Sequence, residues 1–298
     1  MTQVSPRASA VNPSPIDRVI RYYHHTWIDY RLVWLTGRHL AMHFGYDAPG
    51  RRTHHEAVEN GNRVCADLVG VGPGDRVLDA GCGVGGSSLW LAAARGAEVV
   101  GITVVPSQVE RARRVAAERG LADRVHFEVA DYLATPFPPR SFDVAWAMES
   151  LCHAADKAAF YREMARLLKP RGRLVVAEYM RVGRHLAPPV ERDIRRWCDG
   201  WAMPDLDTLE EHRAGARAAG FADPTVHDGT PYTRASLRRL YRHTHLGIPI
   251  DVVLYALGLR SPTQHANVIA SRIQYRLLRQ GHWFYGILCA TMPAPHGG

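Results

Sequence analysis

The run Val77-Leu78-Asp79-Ala80-Gly81-Cys82-Gly83-Val84-Gly85-Gly86 sets one acid two residues ahead of closely spaced glycines. Gly81 and Gly83 let the backbone turn tightly and come close to a ligand. A β-rich run precedes them and a helix-forming run follows, so free helix N–H groups face the same spot. A second group stands in Ala147-Met148-Glu149-Ser150-Leu151-Cys152-His153. A carboxylate among such apolar neighbours needs a partner or a task, and a histidine four residues on can exchange a proton near neutral pH.

Two ligands compete for the glycine segment. Gly81, Gly83 and Gly86 meet the GxGxxG pattern of a dinucleotide loop, which rests pyrophosphate on the helix N-terminus. Asp79 argues against that reading. A carboxylate at the strand end repels pyrophosphate but suits a ligand with a cationic amino-acid group, and S-adenosylmethionine is such a ligand. A nicotinamide-dependent oxidoreductase is the remote alternative; a protein that binds the methyl donor without catalysis is another.

The roles of Glu149 and His153 then depend on the methyl acceptor. Methyl transfer is an in-line displacement in which proximity supplies much of the acceleration. An amine needs little beyond loss of its proton, and a hydroxyl needs a general base, often histidine. An alkene leaves a carbocation, which a carboxylate can stabilise and deprotonate. Glu149 suits the alkene and His153 the hydroxyl. The plainer alternatives are a Glu149 that only orients a backbone group or water, and a His153 that caps the next helix.

The elements that must position these residues alternate regularly. Strands are expected at 76–81, 98–103, 125–130, 142–148 and 172–179, with helices at 87–96, 106–120 and 157–170 between them. Such alternation predicts a parallel, doubly wound sheet with right-handed crossovers, an α/β Rossmann-like architecture. Residues 16–70 read as a helical N-terminal cover, interrupted by a loop at 43–53. Residues 1–15 read as a disordered tail. Helices are expected at 188–202 and 206–220, a strand at 224–229, a long helical stretch at 233–280 and a final strand at 283–293. The donor-binding domain is thus expected over 71–181 and 203–298, with 182–202 a helical cap and 233–280 an insertion over the ligand-binding end.

Composition narrows the class. The chain has 298 residues, 46% of them hydrophobic, enough for a sizeable core. It has no apolar run long enough to span a membrane and no signal-like N-terminus, so a cytoplasmic protein is expected. Its five cysteines show no CxxC spacing, which argues against a disulfide framework or structural zinc, and no protein metal site is expected. The net charge of +8 comes almost wholly from arginine, since only Lys157 and Lys169 are lysines. Acids are interspersed and no long basic run occurs, so a small anionic substrate fits the excess better than nucleic acid does. A homo-oligomer is compatible with the sequence.

With these motifs the chain resembles class I S-adenosylmethionine-dependent methyltransferases, in the branch of sugar O-methyltransferases, tocopherol and sterol methyltransferases and prenyl-diphosphate C-methyltransferases. The resemblance is good over about residues 20–180 and loose beyond. It implies a seven-stranded, mostly parallel sheet. It also implies that Asp79, Gly81 and Gly83 hold the methionine portion of the donor. Thr103, at the end of GIT, stands where many relatives have an acid for the ribose; Thr103 and Gln108 would contact the cofactor instead. Asp131 would bind the adenine amino group with Tyr132 stacked nearby, Met148 would border the donor, and Tyr23 would close over it. For Asp131 the alternative is a turn residue, and for Gln108 an exposed position in a first helical turn. The motif at Glu149 is not the Asn/Asp-Pro-Pro-aromatic motif of nucleic-acid amine methyltransferases.

In the prenyl-diphosphate enzymes the glutamate matching Glu149 is the base, although sugar O-methyltransferases carry a similar segment. The expected reaction is therefore C-methylation of a prenyl diphosphate in specialised isoprenoid metabolism, with O- or N-methylation of a phenol, sugar or amine as the alternative. Candidate diphosphate ligands are Arg18, Arg21, Arg31, His24, His25 and His43, with a second group at Arg238, Arg239, Arg242 and His245. Mg²⁺ could carry part of that charge with few protein ligands. Trp197, Trp201, Tyr241, Tyr255, Trp283 and Phe284 are candidates for an apolar wall that favours a carbocation.

Overall fold

The structure, a computed structural model, describes residues 13–35, 40–48 and 53–294. Two N-terminal helices, α1 (Pro15–Val33) and α2 (His54–Val69), precede the sheet. Each begins in a capping box: Ser14 with Asp17, and Thr53 with Glu56. Gly70, in the left-handed conformation, ends α2. The regular unit follows as β1 (Arg76–Ala80), α3 (Gly86–Arg95), β2 (Glu98–Thr103), α4 (Pro106–Glu118), β3 (Val125–Val129), β4 (Phe142–Met148), α5 (Lys157–Leu167) and β5 (Leu168–Arg181). Then come α6 (Pro188–Gly200), α7 (Leu209–Ala218), β6 (Ala222–Asp228), α8 (Thr230–Ala256), α9 (Pro262–Arg279) and β7 (Trp283–Thr291).

The described residues form one seven-stranded sheet of order β3-β2-β1-β4-β5-β7-β6, antiparallel only at β7. Strand alternation buries both faces. Val77, Val99, Val144, Trp146 and Val175 face one core with α2, α3, α6 and α9; Leu78, Val100, Ala145, Leu174 and Val176 face another with α5 and α7. The chain runs outward to β3 and then crosses back to lay β4 beside β1. A crevice opens at such a reversal, above the carboxyl ends of the strands. Asp79 is the penultimate residue of β1 and Glu149 follows β4, so both reach it.

Several boundaries differ from expectation. Helix α5 stops at Leu167 and β5 starts at Leu168. The expected continuation to Pro170 fails because proline lacks a donor and forces the residue before it to be extended. The stretch 233–280 is two helices, parted around Gly258 (φ 71°) and restarted by Ser261 and Pro262. Strand β6 starts at Ala222, two residues early, through a register shift between Ala222 and Thr225. Most of the expected N-terminal tail, and residues 49–52 of the first loop, lie outside the described residues.

Candidate active site

A cavity of about 250 Å³ lies in the crevice, and it is lined by Asp79, Gly81, Gly83, Thr103, Gln108, Asp131, Tyr132, Met148 and Tyr23, together with Glu149 and His153. Its floor is shaped by glycine. Gly81 has φ 96°, and a Cβ there would run into the Ser150 side chain, which donates to the Ala80 carbonyl at 2.6 Å. A Cβ on Gly83 (φ 55°) would come within 2.6 Å of Met42 Cε.

Asp79 is 2% exposed and accepts from Ser88 Oγ at 2.5 Å. Burial pushes its carboxyl up to about 7, partly offset by Ser88. A buried carboxylate with a hydroxyl but no cation beside it fits the ammonium of an amino-acid ligand. Thr103 Oγ1 donates to Gln108 Oε1 at 2.8 Å, which turns the Gln108 amide N–H₂ into a spare donor. This neutral pair occupies the place where an acid was the commoner expectation. Asp131 Oδ1 accepts from the Leu133 N–H at 2.9 Å, and Tyr132 donates to the Ser150 carbonyl at 3.0 Å.

A pH dependence follows. Protonated Asp79, prevalent below about pH 7, offers no charge to an ammonium ion. Donor affinity measured by calorimetry should therefore weaken by up to about tenfold per unit below that point and level off above it. Affinity unchanged between about pH 5 and about pH 8 would contradict this assignment.

A second cavity, of about 230 Å³, shares the wall formed by Tyr23, Met42, Glu149 and His153. Glu149 follows β4 with φ 51°, a left-handed conformation uncommon for a residue with a Cβ. Its carboxylate compensates. Oε1 accepts from the Phe44 N–H at 2.7 Å and from the Tyr285 hydroxyl at 3.0 Å, and Oε2 accepts from the Tyr179 hydroxyl. Tyr179 and Tyr285 are directly opposite on antiparallel β5 and β7, so both hydroxyls reach one acid. Burial pushes Glu149 up to about 8; the three donors pull the other way, and Glu178 nearby adds to the rise.

His153 sits in a short 3₁₀ turn, Leu151–His153. Its Nδ1 lies 3.3 Å from the Ala202 carbonyl, which requires a donor, so Nε2 is the acceptor for the Tyr23 hydroxyl at 3.0 Å. Burial pushes the imidazole down to about 4. It is a neutral, engaged ring and a weaker base than Glu149.

The second cavity is walled by apolar and aromatic groups, among them Tyr30, Trp34, Phe44, Tyr179, Trp201 and Leu254. Apart from Glu149, its acids and its arginine form one network. Arg260 donates to both Asp29 oxygens at 2.9 and 2.8 Å and contacts Asp251 at 2.5 Å; Asp251 also meets His265 Nδ1 at 2.6 Å.

The expected diphosphate ligands lie elsewhere. Helix α1 turns Val19, Tyr22 and Thr26 inward, so Arg18, Arg21, His24 and Arg31 are on its exposed side; His25 meets His24 edge to face and lines neither cavity. His43 is buried in the first cavity, with Nδ1 3.0 Å from the Phe44 carbonyl. On α8, Leu240, His243 and Thr244 face the second cavity, which leaves Arg238, Arg242 and His245 exposed. Arg239 donates to the Val33 carbonyl at 3.0 Å. Tyr241 stacks on Tyr275 in a separate surface groove lined by Arg196, Arg272, Arg276 and Arg279. Of the expected aromatic wall only Trp201 lines the second cavity. Trp197 and Trp283 back Tyr179 in the core, Phe284 packs on the opposite sheet face, and Tyr255 stacks on His265. Sequence reasoning missed Tyr179, Tyr285 and the Asp29–Arg260–Asp251 network.

Comparison with known proteins gives the class. A methyltransferase-domain family matches residues 78–176. The 27-O-demethylrifamycin SV methyltransferase of Amycolatopsis mediterranei is 36% identical over 196 residues, 65% of this chain and 71% of that one. The 24-methylenesterol C-methyltransferase 2 of Oryza sativa subsp. japonica is 38% identical over 183 residues, 61% of this chain and half of that one. Among solved structures, the [4+2]-cyclase SpnF superimposes with a TM-score of 0.77 at 29% identity, covering 95% of this chain and 98% of that one. The chain belongs to the class I S-adenosylmethionine-dependent small-molecule methyltransferases, and it is an enzyme of that class.

Proposed function

We propose that the protein methylates an alkene carbon of an apolar small molecule, with Glu149 as the base. The observation that carries this reading is that Glu149 lies in the wall shared by the donor cavity and an aromatic-lined cavity, with no cation paired to it. The cradle residues Asp79, Thr103, Gln108 and Asp131 would hold S-adenosylmethionine, which supplies an electrophilic methyl group on sulfur. Filling that cavity with a cation favours ionised Glu149 over its neutral form. The Phe44 N–H and the Tyr179 and Tyr285 hydroxyls hold the carboxylate in one orientation. An alkene that has gained a methyl is a carbocation; the carboxylate stabilises it and takes the proton whose loss restores a double bond. Aromatic faces around it add cation–π stabilisation.

A prenyl diphosphate remains the specific acceptor suggested by the sequence. Its apolar chain fits the second cavity, but its charge finds Arg260 already matched by two acids. Among the described residues no cluster of three His, Cys, Asp or Glu is spaced to hold a metal ion, so Mg²⁺ would arrive with a diphosphate. A second reading is O-methylation of a hydroxyl on an apolar natural product. It is favoured by the rifamycin relative, whose name records an O-methyl transfer.

The test is a panel of isoprenoid alcohols, isoprenoid diphosphates, phenols and polyketide hydroxyls, with mass detection of a gain of about 14 daltons per methyl transferred. A product methylated at carbon is expected. Methylation only at oxygen would overturn the alkene reading, and activity on diphosphates abolished by EDTA would identify the metal-carried acceptor.

A further inference from the structure

Helix α8 carries one exposed stripe at helical spacing: Arg238, Arg242, Leu246, Ile250, Val253 and Leu257, the last one residue past its end. Its first half is basic. Its second half is apolar, with Leu246, Ile250, Val253 and Leu257 between 57% and 75% exposed. Single exposed apolar residues are ordinary, but a contiguous row is not. Ile28 and Leu32 on α1 are exposed as well, at 43% and 72%.

We infer that this face docks on an anionic lipid bilayer. Charge decides the occupant. Arg238 and Arg242 find no acid on α8, whose one carboxylate, Asp251, is buried and held by Arg260 and His265. A second copy laid on the same stripe would bury arginines against leucines. A bilayer bearing anionic headgroups answers both halves at once: phosphates for the arginines, acyl chains for the apolar row. The apolar half spans about 16 Å, too short to cross a hydrocarbon core of about 30 Å, so the helix lies at the surface.

The stripe adjoins the acceptor cavity. Ile250 belongs to both, and Gly247 and Leu254 line the cavity one helical turn away. An apolar acceptor dissolved in the bilayer could enter there without crossing water. Lipid docking itself is independent of which atom is methylated.

The test is co-sedimentation of the full chain with phosphatidylcholine vesicles, with and without about one quarter phosphatidylglycerol, at low and high salt. Binding to the anionic vesicles is expected, weakened by salt and by about fivefold for each of Arg238→Gln and Arg242→Gln. The double variant Leu246→Glu, Val253→Glu should lose it by at least tenfold. These residues line neither cavity, so donor binding unchanged in calorimetry shows that the variants are folded. No binding by the wild type, or equal binding by the double variant, overturns the inference. So does a dimer in vesicle-free solution that the same double variant dissociates, which would make a second copy the occupant.

Discussion

Glu149→Gln is expected to leave the affinity for S-adenosylhomocysteine, which lacks the sulfonium charge, within about twofold and to lower turnover by about a thousandfold, the range for loss of a general base. The amide keeps the shape of the acid. Its oxygen can still accept from the Phe44 N–H and the Tyr285 hydroxyl, and its N–H₂ can donate to Tyr179. Alanine is the poorer probe, because it strands three buried donors at about 1–3 kcal/mol each. For the wild type, kcat/KM should rise with pH toward about 8, since a base acts only when deprotonated. The glutamine variant should lose that limb. Turnover within a few-fold of wild type, or an unchanged pH profile, would remove Glu149 from the chemistry.

Asp79→Asn should weaken donor binding by about 30- to 1,000-fold, equivalent to about 2–4 kcal/mol for a buried charge left without its partner. Stability should move the other way. The free protein buries this carboxylate without a cation, so removing the charge should not lower its melting temperature near pH 8. A variant that binds the donor normally, or one that fails to fold, would show that Asp79 is structural. Measuring affinity and melting together separates the two.

Much of the lining of the first cavity was legible because it obeys local rules. Asp79, Gly81 and Gly83 lie within one strand-turn-helix unit, and their spacing survives folding unchanged. Thr103 and Gln108 are one strand end and the next helix start. Glu149 could be found because an acid in an apolar run at the end of β4 needs an explanation. The second cavity had no such signature. Asp29, Tyr179, Arg260 and Asn267 come from α1, β5, the α8–α9 turn and α9, and only tertiary packing brings them together.

Apart from His43, which lines the first cavity, the arginine and histidine candidates for a diphosphate line neither cavity, for a related reason. On α1 and α8 the basic residues were the chemically suggestive ones. Helical phase put them outside, and Val19, Tyr22, Leu240 and Thr244 turned inward. Tyr179 and Tyr285 were unpredictable from spacing because their meeting depends on the register of β5 against β7, the one antiparallel strand addition in the sheet. The helix ending at Leu167 was in principle readable from Pro170, three residues further on.

Everything functional depends on the first cavity taking the sulfonium donor with its amino-acid end at Asp79 and its reactive end toward the shared wall. A crystal grown with S-adenosylhomocysteine tests this directly. The expected density puts the ligand ammonium beside Asp79, the adenine beside Asp131, and the sulfur facing Glu149 and the second cavity. A ligand turned end for end, or lodged in the second cavity instead, would contradict the assignment of both cavities.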